Sequence, residues 1–281
     1  MEFQIIFLIC LALIWIAFAV VQDLRKREIA DWVNFSLIIF AVGFRFFWGL
    51  FSNEGFGFFY QGLIGLAVFF LLGNLLYYSR MFAGGDAKLL FALGAVLPFS
   101  GIFSVNLNIY ALFLILFLFS GAVYGFFASL FLIIGHFKNF RKEFLRQAKT
   151  NKNILILSIF FALFFIILGF ANHFIIYFGV LIFVFPYFYL SAKSIDKVCM
   201  IKKVPAKDLR EGDWLFKDVK VGKKIIKKTW DGLAKKDIKL LQKKKFVAIK
   251  YGIPFSPSFL IAFIILVYFW INKVDLFSWF F

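Results

Sequence analysis

Apolar stretches of about 20 residues recur along this chain, and they leave only one broad class of fold open. Hydrophobic residues make up 63% of the 281 residues, and the mean hydropathy is +0.90. A helix of about 20 apolar residues matches the thickness of a bilayer core. The sequence therefore predicts an all-α polytopic membrane protein and excludes a soluble fold.

The apolar stretches predict about eight transmembrane helices, with a small basic cytosolic domain before the last one. The predicted spans are residues 3–21, 35–51, 58–78, 87–103, 109–135, 154–170, 174–190 and 255–271. We expect four segments along the chain: a transmembrane domain with two candidate aspartates (1–135), an additional transmembrane hairpin (136–191), the basic cytosolic domain (192–250) and a C-terminal transmembrane helix (251–281).

The positions of Lys and Arg orient these spans. Thirty of the 32 basic residues follow the first, third, fifth or seventh predicted span, and basic loops stay on the cytosolic side of a membrane. Asp23 leaves the first span and Asp86 opens the fourth, so both carboxylates are expected at the cytosolic face. The predicted location is the cytoplasmic membrane, crossed several times.

Asp23 and Asp86 are candidate functional residues because an ionisable group at a membrane boundary is costly to bury unpaired. The alternative interpretation of each is structural. Asp86 would cap the fourth span, and Asp23 would be a solvated residue that balances Arg25 and Arg27. Asp31 directly precedes the second span, and its position is typical of an ordinary helix N-cap.

Two segments of the chain resemble one known family. Asp23-Leu24-Arg25-Lys26-Arg27-Glu28-Ile29-Ala30-Asp31-Trp32 resembles the first-aspartate segment of type IV prepilin peptidases. Ala83-Gly84-Gly85-Asp86-Ala87-Lys88-Leu89-Leu90 resembles the second, which carries the G-x-G-D motif of that family. The chain departs from the family pattern at Ala83, which replaces the first glycine, and at Ala30, which replaces a frequent proline.

The resemblance implies a membrane aspartyl endopeptidase with Asp23 and Asp86 as catalytic residues. Such enzymes remove class III signal peptides from prepilins and, in archaea, from archaellins (preflagellins) at the cytosolic face of the membrane. Bacterial members carry a zinc-binding insertion with paired CxxC motifs, associated with N-methylation. This chain has two isolated cysteines, Cys10 and Cys199, so it resembles the archaeal type, and no methyltransferase activity, metal site or cofactor is expected.

Further residues are expected around the two aspartates. Gly84 and Gly85 remove side-chain bulk, so that an extended peptide can approach Asp86. A helix N-terminus and Lys88 both favour the charged form of Asp86, which suggests Asp86 as the general base and Asp23 as the acid. The segment with Pro254 and Pro257 resembles archaeal members and is similar to a proline-containing motif near the active site of presenilin-like proteases. The alternative is that these prolines only start the last helix.

The expected partners are prepilin- or archaellin-like precursors and an anionic lipid surface. Such precursors carry a short basic leader, for which Glu28 and Asp31 are the candidate contacts. Residues 192–250 carry nineteen basic and seven acidic residues, so they would repel this leader and attract anionic lipid headgroups. Nucleic acid is not expected, because the segment lacks a recognisable base-reading motif.

Two other classes of protein stay open at this point. A presenilin- or signal-peptide-peptidase-like intramembrane protease would use the same pair of aspartates, but those proteins usually have Tyr where this chain has Gln22. An ion-coupled transporter would place its carboxylates near the bilayer midplane, whereas Asp23 and Asp86 are expected at one interface.

Overall fold

The computed structural model describes residues 2–52, 55–170, 172–222, 224–229 and 232–272. These residues form ten α-helices: α1 (Phe3–Lys26), α2 (Asp31–Phe51), α3 (Gly57–Tyr78), α4 (Gly84–Val96), α5 (Phe103–Gly135), α6 (Phe137–Thr150), α7 (Lys152–Leu168), α8 (His173–Ser194), α9 (Lys235–Leu241) and α10 (Ser256–Ile271). They divide into two compact units, the first from the described residues of 1–126 and 254–281 and the second from those of 127–253.

The helical membrane fold is confirmed, while the number of eight spans stays a prediction. Among the described residues, five helices are long and apolar enough to cross a bilayer, namely α1, α2, α3, α5 and α8 with its C-terminal π-helical turn. A sixth span results if α6 and α7, which meet at an angle of 76°, are counted together. α10 is a shorter apolar helix, and residues 273–281 of the predicted C-terminal segment lie outside the described residues.

α4 is much shorter than the span predicted over residues 87–103. It has 13 residues and ends at Val96, which gives a length of about 20 Å. The apolar residues Leu97, Pro98 and Phe99 continue the hydrophobic pattern without continuing the helix. Hydropathy therefore predicted a longer helix than the one that forms.

Glycines bring α3 and α4 into close contact. A Cβ atom added to Gly65 would lie 2.8 Å from Pro98 Cγ and still closer to the carbonyl oxygen of Gly94. Small residues at a helix crossing let two backbones approach each other, which is the usual way in which helices associate in a membrane. This packing fixes α4, and with it Asp86, inside the first unit.

Arg45 of α2 binds the C-terminal end of α4. The side chain is fully buried, and its guanidinium group donates hydrogen bonds to the carbonyl oxygens of Ala95 (2.9 Å), Val96 (3.0 Å) and Pro98 (2.6 Å). A fourth bond joins it to the carbonyl of Phe58, whose ring lies 4.0 Å from the cation. The last carbonyls of a helix have no partner within the helix, so Arg45 satisfies them.

The second unit combines helices with a small β-sheet module. The module has five short strands: β1 (Ile201–Pro205), β2 (Trp214–Leu215), β3 (Val219–Val221), β4 (Lys224–Ile226) and β5 (Phe246–Lys250). β5 lies between β1 and β2 and is antiparallel to both, while β3 and β4 form a separate pair. A core that includes Val204, Leu215, Leu241 and Ile249 holds the module together. The four-segment division drawn from the sequence stays a prediction.

Candidate active site

Asp23 lies in the last turn of α1 and is almost fully buried, with 7% of its surface exposed. The helix ends one turn later, where Arg27 adopts a left-handed conformation (φ 57°) and its N–H bonds to the Asp23 carbonyl. The chain then turns back, and Gln22 Oε1 accepts a hydrogen bond from Ala30 N–H at 3.0 Å. α2 starts at Asp31, so its N-cap is Ala30 and not Asp31 as the sequence suggested.

Asp86 lies in the first turn of α4 and is half-buried. Its carboxylate accepts a hydrogen bond from the backbone N–H of Ala83, so it does cap the helix as the structural interpretation proposed. It also interacts electrostatically with Asp23. The two carboxylates that topology placed at one face are therefore near neighbours.

Gly85 makes this approach possible. A Cβ atom added there would lie 3.3 Å from Cβ of Ile29, a buried residue of the turn that follows Asp23. The missing side chain thus serves packing between the two aspartate segments. At Gly84 the nearest side-chain atom to an added Cβ would be 3.8 Å away, so the expected role of Gly84 in peptide approach stays a prediction.

The N-terminus of α10 points at Asp23. The backbone N–H of Ser256, the first residue of α10, donates a hydrogen bond of 3.2 Å to Oδ2 of Asp23. The positive end of a helix dipole and a free backbone N–H both stabilise a carboxylate. Ser256 is fully buried, and among the described residues its hydroxyl has no hydrogen-bond partner. The sequence did not single out this residue.

Pro254 and Pro257 flank this contact. Pro257 lies in the first turn of α10, which agrees with the helix-start interpretation. Between them, Phe255 packs edge-on against Phe117 with ring centroids 5.5 Å apart, and its ring occupies the space beside Gly121. The two prolines thus border the segment that reaches Asp23, and their expected contact with substrate stays a prediction.

Asn34 adjoins the other aspartate segment. It is fully buried in the first turns of α2, and its Nδ2 lies 3.5 Å from the carbonyl oxygen of Gly85. In the described part of the chain, Asn34 Oδ1 has no hydrogen-bond partner. A buried polar atom without a partner is costly and needs an explanation. No motif in the sequence identified Asn34.

The charged residues expected around the aspartates are arranged differently from the prediction. Lys88 forms an ion pair with Asp31, and both side chains are partly exposed. The ammonium group that was expected to favour a charged Asp86 is therefore engaged by another carboxylate. Glu28 is exposed in the turn between α1 and α2.

A tyrosine on α5 also belongs to the surroundings of Asp23. Tyr124 is half-buried and interacts electrostatically with both Asp23 and Arg27. It lies one helical turn beyond Ser120, whose hydroxyl donates a 3.0 Å hydrogen bond to the Ser258 carbonyl of α10. Residues four positions apart share one face of a helix, so Tyr124 continues the face that packs on the start of α10.

Metal-ligating residues do not cluster in the part of the chain that the structure describes. No group of three or more His, Cys, Asp or Glu side chains is close enough there to hold a metal ion.

Comparisons with known proteins point to the same region. Residues 10–130, which include both aspartates, match the model of the type IV leader peptidase family. The preflagellin peptidase of Methanocaldococcus jannaschii is 34% identical over 80 residues, which cover 28% of this chain and 33% of that protein. The preflagellin peptidase of Methanococcus maripaludis is also 34% identical over 80 residues, which cover 28% of this chain and 34% of that protein.

The matched part is limited in length. The similarity spans about a third of each of these two relatives. No solved structure matches the chain.

Proposed function

We propose that the protein is a membrane aspartyl endopeptidase of the type IV leader peptidase family, whose model matches residues 10–130. In this proposal it removes class III signal peptides from prepilin- or archaellin-like precursors at the cytosolic face of the membrane. One observation carries the proposal. Asp23 at the end of α1 and Asp86 at the start of α4 interact electrostatically, although 62 residues separate them.

The roles of the two aspartates follow from their different partners. Asp23 accepts the Ser256 N–H at the positive end of α10, an arrangement that suits a general base. Two neighbouring carboxylates do not easily ionise together, so Asp86 holds the proton. This assignment reverses the one drawn from the sequence, which rested on Lys88 and on the helix N-terminus at Asp86. Asp86 does lie at the start of α4, but both aspartates are at a helix N-terminus, so this position does not distinguish them. Lys88 is paired with Asp31 and is no longer an argument for an ionised Asp86.

Peptide hydrolysis then proceeds as general acid–base catalysis. The Asp23 carboxylate takes a proton from a water molecule, whose oxygen attacks the scissile carbonyl carbon. The carboxylic acid of Asp86 donates a hydrogen bond to the oxyanion that develops. When the tetrahedral intermediate collapses, the C–N bond breaks and the leaving amine receives from Asp23 the proton that this carboxylate took from the water. The unpartnered Ser256 hydroxyl and Asn34 Oδ1 lie beside the two carboxylates and are suited to bind the peptide backbone.

The distribution of charge supports the proposed substrate and membrane side. Precursors of this kind have a basic leader followed by a hydrophobic helix, so their cleavage site lies at the cytosolic interface. The positions of the basic loops support the same side of the membrane for Asp23 and Asp86. Of the two acidic residues proposed to meet the leader, Asp31 is engaged by Lys88, so Glu28 is the stronger candidate. The cations of residues 192–250 support an anionic lipid surface as the second partner.

Cleavage of a tagged precursor in membranes tests this function. The substrate should carry a short basic leader and a hydrophobic helix, and the new N-terminus of the product should be sequenced. We expect the wild type to cut at the boundary between leader and helix, and Asp23→Asn and Asp86→Asn to leave the precursor intact. Asp208→Asn, an exposed aspartate in the sheet module, is the matched control and should cut normally. Cleavage by both site variants at the wild-type rate would refute the proposal.

A further inference from the structure

α6 is the most strongly basic helix among the described residues, and the proposed peptidase activity gives it no role. It carries five cations in 14 residues, Lys138, Arg141, Lys142, Arg146 and Lys149, with Glu143 as its single acidic residue. It follows α5 after one residue and precedes α7 after one residue. α6 is thus held at both ends by long apolar helices.

One face of α6 is used for packing inside the second unit. Phe140 and Phe144 are half-buried and stack with ring centroids 5.8 Å apart, and Gln147 is buried. Glu143 Oε1 accepts hydrogen bonds from Arg146 (2.8 Å) and Gln147 (2.6 Å). The same oxygen lies 3.7 Å from Nζ of Lys197 in the π-helical turn after α8. The negative charge of α6 is therefore neutralised on this inner face.

The opposite face of α6 mixes exposed cations with exposed apolar side chains. Phe137, Arg141, Leu145 and Lys149 follow one another at intervals of four residues and so form one row along the helix. Phe137 is 58% exposed and Leu145 is 49% exposed. An outer face of this composition is typical of a helix that lies in a membrane interface. Its apolar side chains enter the acyl boundary, and its long basic side chains reach the phosphates.

The angle between α6 and α7 agrees with this position. The two helices meet at 76° around Asn151. Apart from Ser158, α7 is apolar from Ile154 to Leu168, so when this stretch crosses the bilayer, α6 lies close to the plane of the membrane surface. The outer face of α6 is then parallel to the layer of lipid headgroups.

We infer that the outer face of α6, formed by Phe137, Lys138, Arg141, Lys142, Leu145 and Lys149, binds anionic lipid headgroups. The inference sharpens the lipid part of the proposed function and places the main contact on α6 instead of on the sheet module. In the module, Lys235 pairs with Glu211 and Lys250 pairs with Asp196, and the large exposed apolar residues of its strands are Ile225 and Phe246. Lipid binding by α6 does not depend on the peptidase chemistry. An experiment can therefore refute one of these two proposals without refuting the other.

A lipid titration of the full-length protein tests this inference. The protein is purified in a neutral detergent, and its thermal midpoint is followed as phosphatidylglycerol or phosphatidylcholine is added. The test variant carries Lys138→Gln, Arg141→Gln, Lys142→Gln and Lys149→Gln. The matched control carries Lys227→Gln, Lys243→Gln, Lys244→Gln and Lys245→Gln, four exposed cations of the module. Both variants remove the same charge from the second unit.

We expect phosphatidylglycerol to raise the midpoint of the wild type and the control alike. The α6 variant should have the wild-type midpoint in phosphatidylcholine, which shows that it is folded, and should bind phosphatidylglycerol at least about tenfold more weakly. Equal weakening in both variants would overturn the inference, because charge anywhere in the unit would then suffice. An equal midpoint shift with free glycerol phosphate would also overturn it, since the surface would then bind phosphate and not lipid.

Discussion

The two ends of α4 both bury polar groups, and they differ in how completely those groups are bonded. At the C-terminal end, Arg45 donates to four carbonyl oxygens, and the fully buried Asn106 bonds to Ser100 and Gln61. The buried Tyr110 hydroxyl is the exception at this end, since it has no partner among the described residues. At the N-terminal end, beside Asp23 and Asp86, the buried Asn34 and Ser256 each keep a polar atom without a partner among the described residues.

The difference separates polar groups that hold the fold from polar groups that are available for a substrate. A saturated buried network rigidifies a structure, whereas an unsatisfied buried group persists only at a cost to stability. α4 is short, so the hydrogen bonds of Arg45 at its C-terminal end can fix the direction of the helix that carries Asp86. The variants below test whether the two ends serve these two purposes.

The largest loss of stability is expected from Arg45→Met. It leaves four buried carbonyl oxygens without their donor, and we expect unfolding to become easier by at least about 3 kcal/mol. The measurement is the thermal midpoint in detergent. Arg25→Met, at an exposed cation in the last turn of α1, is the control and should change stability by less than about 0.5 kcal/mol. If both variants were equally stable, Arg45 would not be holding α4.

A pair of asparagine variants sharpens the comparison. Asn106→Leu removes a side chain that makes three hydrogen bonds and should destabilise the protein by about 1–3 kcal/mol. Asn34→Leu removes an unpartnered oxygen together with one long contact of 3.5 Å to the Gly85 carbonyl, so it should change stability by less than about 1 kcal/mol, while cleavage of the precursor slows. Both residues are fully buried, so burial alone cannot explain different outcomes. Equal destabilisation by the two variants would remove the distinction between the two ends of α4.

Ser256→Ala tests the hydroxyl beside Asp23. We expect kcat for precursor cleavage to fall about fivefold, the value of one hydrogen bond, with the thermal midpoint unchanged. Ser158→Ala provides the control, because Ser158 is a buried serine whose hydroxyl bonds to the Leu155 carbonyl within α7. A Ser256→Ala enzyme with full kcat would show that the hydroxyl does not take part in the reaction, although the Ser256 N–H contact to Asp23 would remain.

The smallest effect is expected at the ion pair between Lys88 and Asp31. Both side chains are partly exposed, and such pairs contribute about 0–1 kcal/mol. A double-mutant cycle with Lys88→Gln and Asp31→Asn should give a coupling energy within that range and should weaken further at high salt. A coupling above about 2 kcal/mol would mean that this pair, like Arg45, holds α4 in place.

The sequence allowed Asp23 and Asp86 to lie close together, because two predicted spans separate them and the basic loops predict one side of the membrane, but it did not predict their contact. The contact between Asp23 and Ser256 was not predictable, since the two residues are 233 positions apart and a buried serine leaves no pattern. α4 was predicted too long because Leu97 and Phe99 are apolar without being helical. Hydropathy reports burial in the membrane, and it does not report which backbone carbonyls are satisfied by Arg45.

The surface role of α6 was hidden for a similar reason. In the sequence analysis its cations belong to a loop between two predicted spans. Their number there is sufficient to predict which side of the membrane the loop lies on. The apolar residues Phe137 and Leu145 could be interpreted only once α6 and its 76° angle to α7 were known. That angle sets the orientation of α6 relative to the membrane. Charge counting thus predicted the side of the membrane, and the helix geometry identified the surface.

The central claim is that Asp23 and Asp86 act as one catalytic unit. The direct test compares kcat/KM for precursor cleavage by Asp23→Asn, Asp86→Asn and the double variant, all in the same membranes and at equal amounts of folded protein. Residues that act as a unit are not additive, so each single variant should lose at least about a thousandfold and the double variant should lose no more. A single variant that keeps most of the wild-type kcat/KM, or losses that multiply in the double variant, would contradict the claim.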